Sequence, residues 1–169
     1  MSKYLPLDDP ITRREACTIL DRKRFDAAVR AGVIETLGKR GADGNVVPVE
    51  EGAQTAPLVF SQEAVRGYAG AVADELLVEA SEHRAAAKDI AKRKPPLTRR
   101  QIAAVLGKRQ TGIFIRAGVL TPDGALTDTQ TAAHTYDPTV VARVITNVAE
   151  ARTAEARLLL TGAKTRIPA

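Results

Sequence analysis

Apolar positions along the chain switch between helical and strand spacing, and the switches recur. Ala16, Ile19 and Leu20 fall at i, i+3, i+4, as do Ile102, Val105 and Leu106, each triplet making a core-facing stripe. Thr12 with Glu15, and Thr98 with Gln101, stand just ahead of these stripes as capping boxes and predict where each helix starts. A turn at Asp21-Arg22, or Gly107-Lys108, leads to a second helix. Phe25, Ala28 and Val29 face inward in one copy, and Ile113 and Ile115 in the other. Gly32 and Gly118 end these helices in the left-handed conformation, and Val33-Ile34 and Val119-Leu120 are expected to lead out as strands. Turn-rich, β-prone segments follow. In the first, Asp43-Gly44-Asn45 predicts a hairpin between Lys39-Arg40 and Val46-Val47; in the second, Pro122-Asp123-Gly124 predicts a tight turn.

Each segment closes on an aromatic, Phe60 or Tyr136, followed by Ser61 or Asp137 as the cap of a long helix. From Ser61 to about Arg93, Val65, Ala69, Val72, Leu76, Ala80, His83, Ala87 and Ile90 recur every three or four residues, a seam for a partner helix. The second long helix starts with Pro138 and runs to about Thr161. It carries Val141, Val144, Val148, Ala151 and Leu158, and Gly162 is expected to end it. Two such seams predict packing on each other or self-association of two chains.

The paired pattern is an internal repeat. Thr12–Ile34 lies on Thr98–Leu120 without gaps, 86 residues apart (98 − 12 = 86), with 8 of 23 positions identical. Unrelated segments would share one or two, so the chain is built from two similar modules. The expected organisation is a first module over 1–60, a connecting helix and basic linker over 61–96, a second module over 97–136, and a C-terminal helix with a basic tail over 137–169. Pro95-Pro96 marks the boundary between the modules, and Ala163–Ala169 is expected to be a mobile tail.

Composition narrows this picture. Apolar residues make up 44% of the 169, yet only three Phe and three Tyr are aromatic, so the core is aliphatic and suits close-packed helices. The excess of 25 Lys and Arg over 20 Asp and Glu gives +5, compatible with a polyanionic partner. One cysteine excludes an internal disulfide framework, and no apolar run reaches membrane-spanning length, so a cytoplasmic protein is expected.

Helix, tight turn, helix ending in Ala-Gly-Val, hairpin, aromatic, capped helix: this order resembles the winged helix-turn-helix of the excisionase and MerR families. The residues that carry the resemblance are T-R-R-E-A at 12–16, Leu20, R-A-G-V-I at 30–34 and F-S-Q-E-A-V at 60–65. In the second copy they are T-R-R-Q-I at 98–102, L-G at 106–107, R-A-G-V-L at 116–120 and Y-D-P-T-V-V at 136–141. The resemblance implies a mainly α fold with small β-hairpin wings: two tandem winged helix-turn-helix modules joined and followed by long helices. It also implies double-stranded DNA as partner, for a small transcriptional regulator or an excisionase-type recombination accessory factor.

In such a module the N-terminal part of the second helix enters the major groove. Arg22, Lys23 and Arg24 occupy that place in the first copy, and Lys108, Arg109 and Gln110 in the second. Arg forks onto guanine and Gln onto adenine, which makes Arg109 and Gln110 the best base-reading candidates. Arg13 with Arg14, and Arg99 with Arg100, stand at the first helix's N-terminus, near phosphate. Lys39 and Arg40 are the wing candidates, and Lys92, Arg93 and Lys94 are placed to track the backbone between modules. The blander reading of each cluster is a solvated face. A different class competes: a phage assembly protein, such as a head–tail connector or packaging small subunit, which would reside in the virion and use the same fold to touch other phage structural proteins.

Catalysis finds little support. His83 lies on a seam and His134 in a loop, without neighbours at metal-ligand spacing. Cys17 is flanked by core positions, Gly38, Gly41 and Gly44 belong to a hairpin, and Asp74, Glu75, Glu79 and Glu82 read as a solvated helix face. No enzyme, metal or cofactor is expected.

Overall fold

Threonine caps start both short helix pairs. The Thr12 hydroxyl accepts from the Glu15 amide while the Glu15 carboxylate accepts from the Thr12 amide, and Thr98 and Gln101 make the same reciprocal pair. A computed structural model describes residues 9–94, 96–126 and 133–164, apart from the side chains of 125, 126 and 133. The N-terminal lead through residue 8, Pro95, the tip of the second hairpin at 127–132 and the tail from 165 lie outside the described residues. The fold is mainly helical with small antiparallel sheets. Packing divides it into two units, one reaching to Glu75 and including the residues from Glu155 onward, the other Leu76–Ala154. No helix among the described residues is long and apolar enough to cross a membrane.

The first unit contains β1 (Ile11–Thr12), α1 (Arg13–Ala16), α2 (Arg22–Arg30), β2 (Thr36–Arg40), β3 (Val46–Val47) and β4 (Leu58–Phe60). Its sheet has the order β1-β4-β2-β3. The expected hairpin pairs Lys39 with Val47 and Arg40 with Val46, closed by a Gly41 amide to Asn45 carbonyl bond of 2.7 Å. The start of α3 (Gln62–Ala91) and the end of α6 (Pro138–Lys164) complete the unit. Ile11, Leu20, Phe25, Ile34, Val59 and Val65 are fully buried there, and Phe25 meets Phe60 edge to face with centroids 4.9 Å apart.

The second unit repeats the plan with β5 (Leu97–Thr98), α4 (Arg99–Leu106), α5 (Lys108–Arg116), β6 (Gly124–Leu126) and β7 (Ala133–Tyr136), the sheet running β5-β7-β6. One core cluster joins Ile102, Leu106, Leu120 and Tyr136 to Ala87 and Ile90 of α3 and to Val141, Val144, Ile145 and Val148 of α6.

Several expectations need correction. The regular helix of the first copy stops at Ala16, and the chain then tightens into i→i−3 bonds, Thr18 to Glu15 and Ile19 to Ala16. The Thr18 hydroxyl also donates to the Glu15 carbonyl at 2.7 Å, competing with the helix ladder, whereas the second copy has Ala104 there and α4 runs to Leu106. Val33-Ile34 and Val119-Leu120 are not strands. The amides of Gly32 and Val33 return to Val29 and Ala28, and those of Gly118 and Val119 to Ile115 and Phe114, closing both helices as Schellman motifs with Gly32 and Gly118 at φ near +70°. Gly124 belongs to β6, and the preceding Asp123 amide already bonds to the Thr135 carbonyl.

Ile113 points outward and is 44% exposed. It occupies the repeat position of exposed Ala27, while buried Thr111 and half-buried Phe114 stand where Phe25 and Ala28 do, so the large ring has moved one turn along. The α6 seam also differs. Ala151 and Leu158 are exposed, whereas Ile145, Ala149, Ala156 and Leu159 are buried. Nor does Gly162 end α6, which continues to Lys164. Cys17 is half-buried rather than buried.

Candidate nucleic-acid interface

The candidate cations fall into two sets, one per unit, and their surroundings differ. In the first unit Asp21 caps α2, accepting from the Arg24 amide at 3.1 Å and from its guanidinium at 2.7 Å. The Arg24 guanidinium also bonds to Glu155 near the end of α6, and this bond raises its pKa further. Burial pushes the Asp21 carboxyl up, but the bonds from Arg24 outweigh it and leave the pKa below the ordinary aspartate value. Arg13 forks onto Asp26 with contacts of 2.6 to 3.0 Å, which holds the Asp26 carboxyl below its ordinary range and raises the Arg13 guanidinium. Arg22 lies 3.8 Å from the same carboxylate and is largely exposed. Arg14 and Lys23 are exposed and make no ion pair among the described residues.

The β2 cations Lys39 and Arg40 are engaged internally. The Lys39 ammonium donates to the Gly52 carbonyl at 3.1 Å. Arg40 donates to the Pro10 carbonyl at 2.6 Å and lies 3.7 Å from Glu15. Both side chains are half-buried.

In the second unit Arg99, Arg100, Lys108 and Arg109 are all exposed, and none forms an ion pair among the described residues. Gln110 is half-buried. Arg99, Arg100 and Lys108 rim a groove of about 500 Å³ floored by Ala103 and Ala104, two side chains small enough to let a ligand approach the helices. Lys108, Arg109 and Gln110 border a second groove with Ile113, Phe114 and Arg152. Gly107, at φ +79°, supplies no side chain to cap α5, and no side chain among the described residues caps that helix's first amides. Lys92, Arg93 and Lys94 follow α3 in the same unit, all exposed and free of ion pairs among the described residues.

The acid that sequence reasoning missed is Glu155, which lies 131 residues from Arg24 along the chain. Asp21 and Asp26, by contrast, are legible in the sequence around the basic triplet of the first copy, as a sign of drift toward a structural role; Asp26 sits at the repeat position of Gly112, and Arg13 at that of Arg99 (26 + 86 = 112; 13 + 86 = 99).

Groups of three or more side chains suited to a metal are absent among the described residues. His83 is half-buried on α3, and its Nδ1 has no hydrogen-bond partner among them. Burial raises the Cys17 thiol, the direction opposite to that of an activated nucleophile. Comparison with protein-family models, with curated proteins and with solved structures finds no match.

Proposed function

We propose that the chain binds double-stranded DNA through tandem winged helix-turn-helix modules, as a small transcriptional regulator or an excisionase-type recombination accessory factor. One observation carries this reading: Arg99, Arg100, Lys108 and Arg109 stand exposed at the starts of α4 and α5, without an ion pair among the described residues. Cations gathered at the ends of two consecutive helices match what a duplex needs, phosphate neutralisation beside a helix terminus that fits the major groove. Arg109 is the base reader and Gln110 its neighbour; Arg99, Arg100 and Lys108 hold phosphates. In the second unit, parts of α3 and α6 pack against α4 and share its core, which supplies a framework for the reading helices.

The competing reading is a phage assembly protein using the same helices for protein contacts. Exposed Ile113 on α5, which borders a groove together with Phe114, is the observation that favours it.

Electrophoretic titration with random-sequence duplex, alongside light-scattering mass, separates the two. DNA binding predicts a monomer or dimer that shifts duplex. On a selected site, Arg109→Ala is expected to cost about 1–3 kcal/mol of binding. A ring of defined size that ignores duplex leaves the assembly reading standing. Unchanged affinity of Arg109→Ala removes that residue from the reading surface.

A further inference from the structure

We infer that the two repeats have diverged by charge, and that the α4–α5 face of the second unit is the one that engages the duplex, while the α1–α2 face of the first is partly neutralised from within. The inference rests on the DNA-binding reading above and says which half of the repeat performs it.

Two substitutions between the copies carry it. Position 21 is Asp and its counterpart is Gly107 (21 + 86 = 107); position 26 is Asp and its counterpart is Gly112. In the first unit the Asp21 carboxylate occupies the N-terminal cap of α2, the place a phosphate oxygen would take. In the second unit no side chain among the described residues occupies the corresponding cap. Asp26 accepts from Nε and Nη2 of Arg13 and lies within reach of Arg22. The geometry around Gly112 shows the same arrangement with the acid deleted: a methyl group built there would stand 3.7 Å from the Arg99 guanidinium.

The cations at 13 and 99, and at 22 and 108, are therefore matched while their acids are not. The first face keeps exposed Arg14 and Lys23, but with two partly exposed carboxylates beside them, Asp21 at 49% and Asp26 at 33%. A polyanion approaching it meets those carboxylates and must displace Arg13 and Arg24 from existing partners. Approaching the second face it meets neither obstacle. In the first repeat these cations serve internal pairs instead, Arg24 on Glu155 and Arg13 on Asp26.

The repeat supplies its own test, because the missing acid can be restored. Gly112 lies inside α5 at an ordinary helical φ with only the Arg99 guanidinium near it, so Gly112→Asp fits without backbone strain and recreates the pair of the first copy. Against a random-sequence duplex at about 0.1 M salt, Gly112→Asp is expected to weaken binding on the order of tenfold, since one phosphate contact is lost and a like charge is added. Arg14→Ala with Lys23→Ala is expected to change affinity by less than about threefold, against on the order of a hundredfold for Arg99→Ala with Lys108→Ala. Circular-dichroism melts of each variant check that the fold is kept. Gly112→Ala, which adds the methyl without the charge, is expected to bind like the parent.

If the parent binds duplex but Gly112→Asp binds equally well, or the first-face pair proves as costly as the second-face pair, the division of labour is overturned and the DNA-binding reading stands. If the parent fails to bind duplex at any salt, the DNA-binding reading itself falls and the inference with it. If Gly112→Asp alters only the light-scattering mass and binds duplex as the parent does, the division of labour is overturned in the same way.

Discussion

Gly162 in the last turn of α6 faces the Ile19 backbone so closely that a Cβ at this position would stand 2.9 Å from the Ile19 carbonyl oxygen. The residue is glycine because of this approach and not because the helix stops, which explains why α6 passes through it. Gly67 and Gly70, on α3, meet nothing within 4 Å of a built Cβ. The same substitution therefore has opposite signs at the two places. In a helix interior Gly→Ala ordinarily stabilises by up to about 1 kcal/mol, and Gly67→Ala is expected to raise the melting temperature accordingly. Gly162→Ala forces either α6 or the turn after α1 to shift, and is expected to lower the melting temperature by an overpacking cost of about 1–3 kcal/mol. Thermal melts of the two single variants decide it. A rise for Gly162→Ala shows that the close approach does not constrain the fold.

At the start of α6, Asp137 accepts from the amides of Thr139 at 2.6 Å and Val140 at 3.1 Å, ahead of Pro138 in the first turn. Those backbone bonds favour the charged carboxylate and hold its pKa below the ordinary aspartate value of 3.8. Since the folded pKa is the lower one, the cap's charge contribution is complete above the unfolded value and fades as the pH falls through the folded one. Asp137→Asn keeps a capping oxygen without a titrating group. It is expected to match the parent in stability near pH 7 and to lose less below about pH 4. Denaturant midpoints across pH 2–7 check this, and parallel curves for the two proteins refute it.

Caps of this kind were legible in the sequence because their chemistry spans three residues: Thr12 with Glu15, Thr98 with Gln101, and Ser61, whose Oγ accepts from the Ala64 amide. The hairpin at Asp43-Gly44 was legible for the same reason. Val33-Ile34 misled because β-branched residues after a left-handed glycine fit a strand and a Schellman closure alike. Ile113 misled because its apolar identity was weighed above its phase, though its repeat partner Ala27 already marked the outward face. Exposure of the cations was beyond reach without coordinates, since Lys39 and Arg40 are as basic as Lys108 and Arg109 but spend their donors on Gly52, Pro10 and Glu15.

Across the whole molecule the formal charge of +5 is modest, so the number of cations that release counterions matters more than the total. The second unit offers Arg99, Arg100, Lys108 and Arg109 on one face, with Lys92, Arg93 and Lys94 in the stretch leading to it. Each phosphate neutralised on duplex DNA contributes a slope of about −0.9 in log affinity against log salt. With Arg109 on a base, the other six side chains (4 + 3 − 1 = 6) give an expected slope of about −5 if all meet phosphates. After Lys92, Arg93 and Lys94 are replaced together by Ala it should fall to about −3. The first unit's Arg14, Arg22 and Lys23 would steepen the parent slope to about −8 if they took part as well, so the measurement counts the engaged faces. Fluorescence-anisotropy titrations between 50 and 300 mM salt give these slopes directly. An unchanged slope in the triple variant takes the linker off the DNA, and a parent slope shallower than about −2 takes DNA off the list of partners, because four exposed cations at a duplex surface cannot bind it with so little ion release.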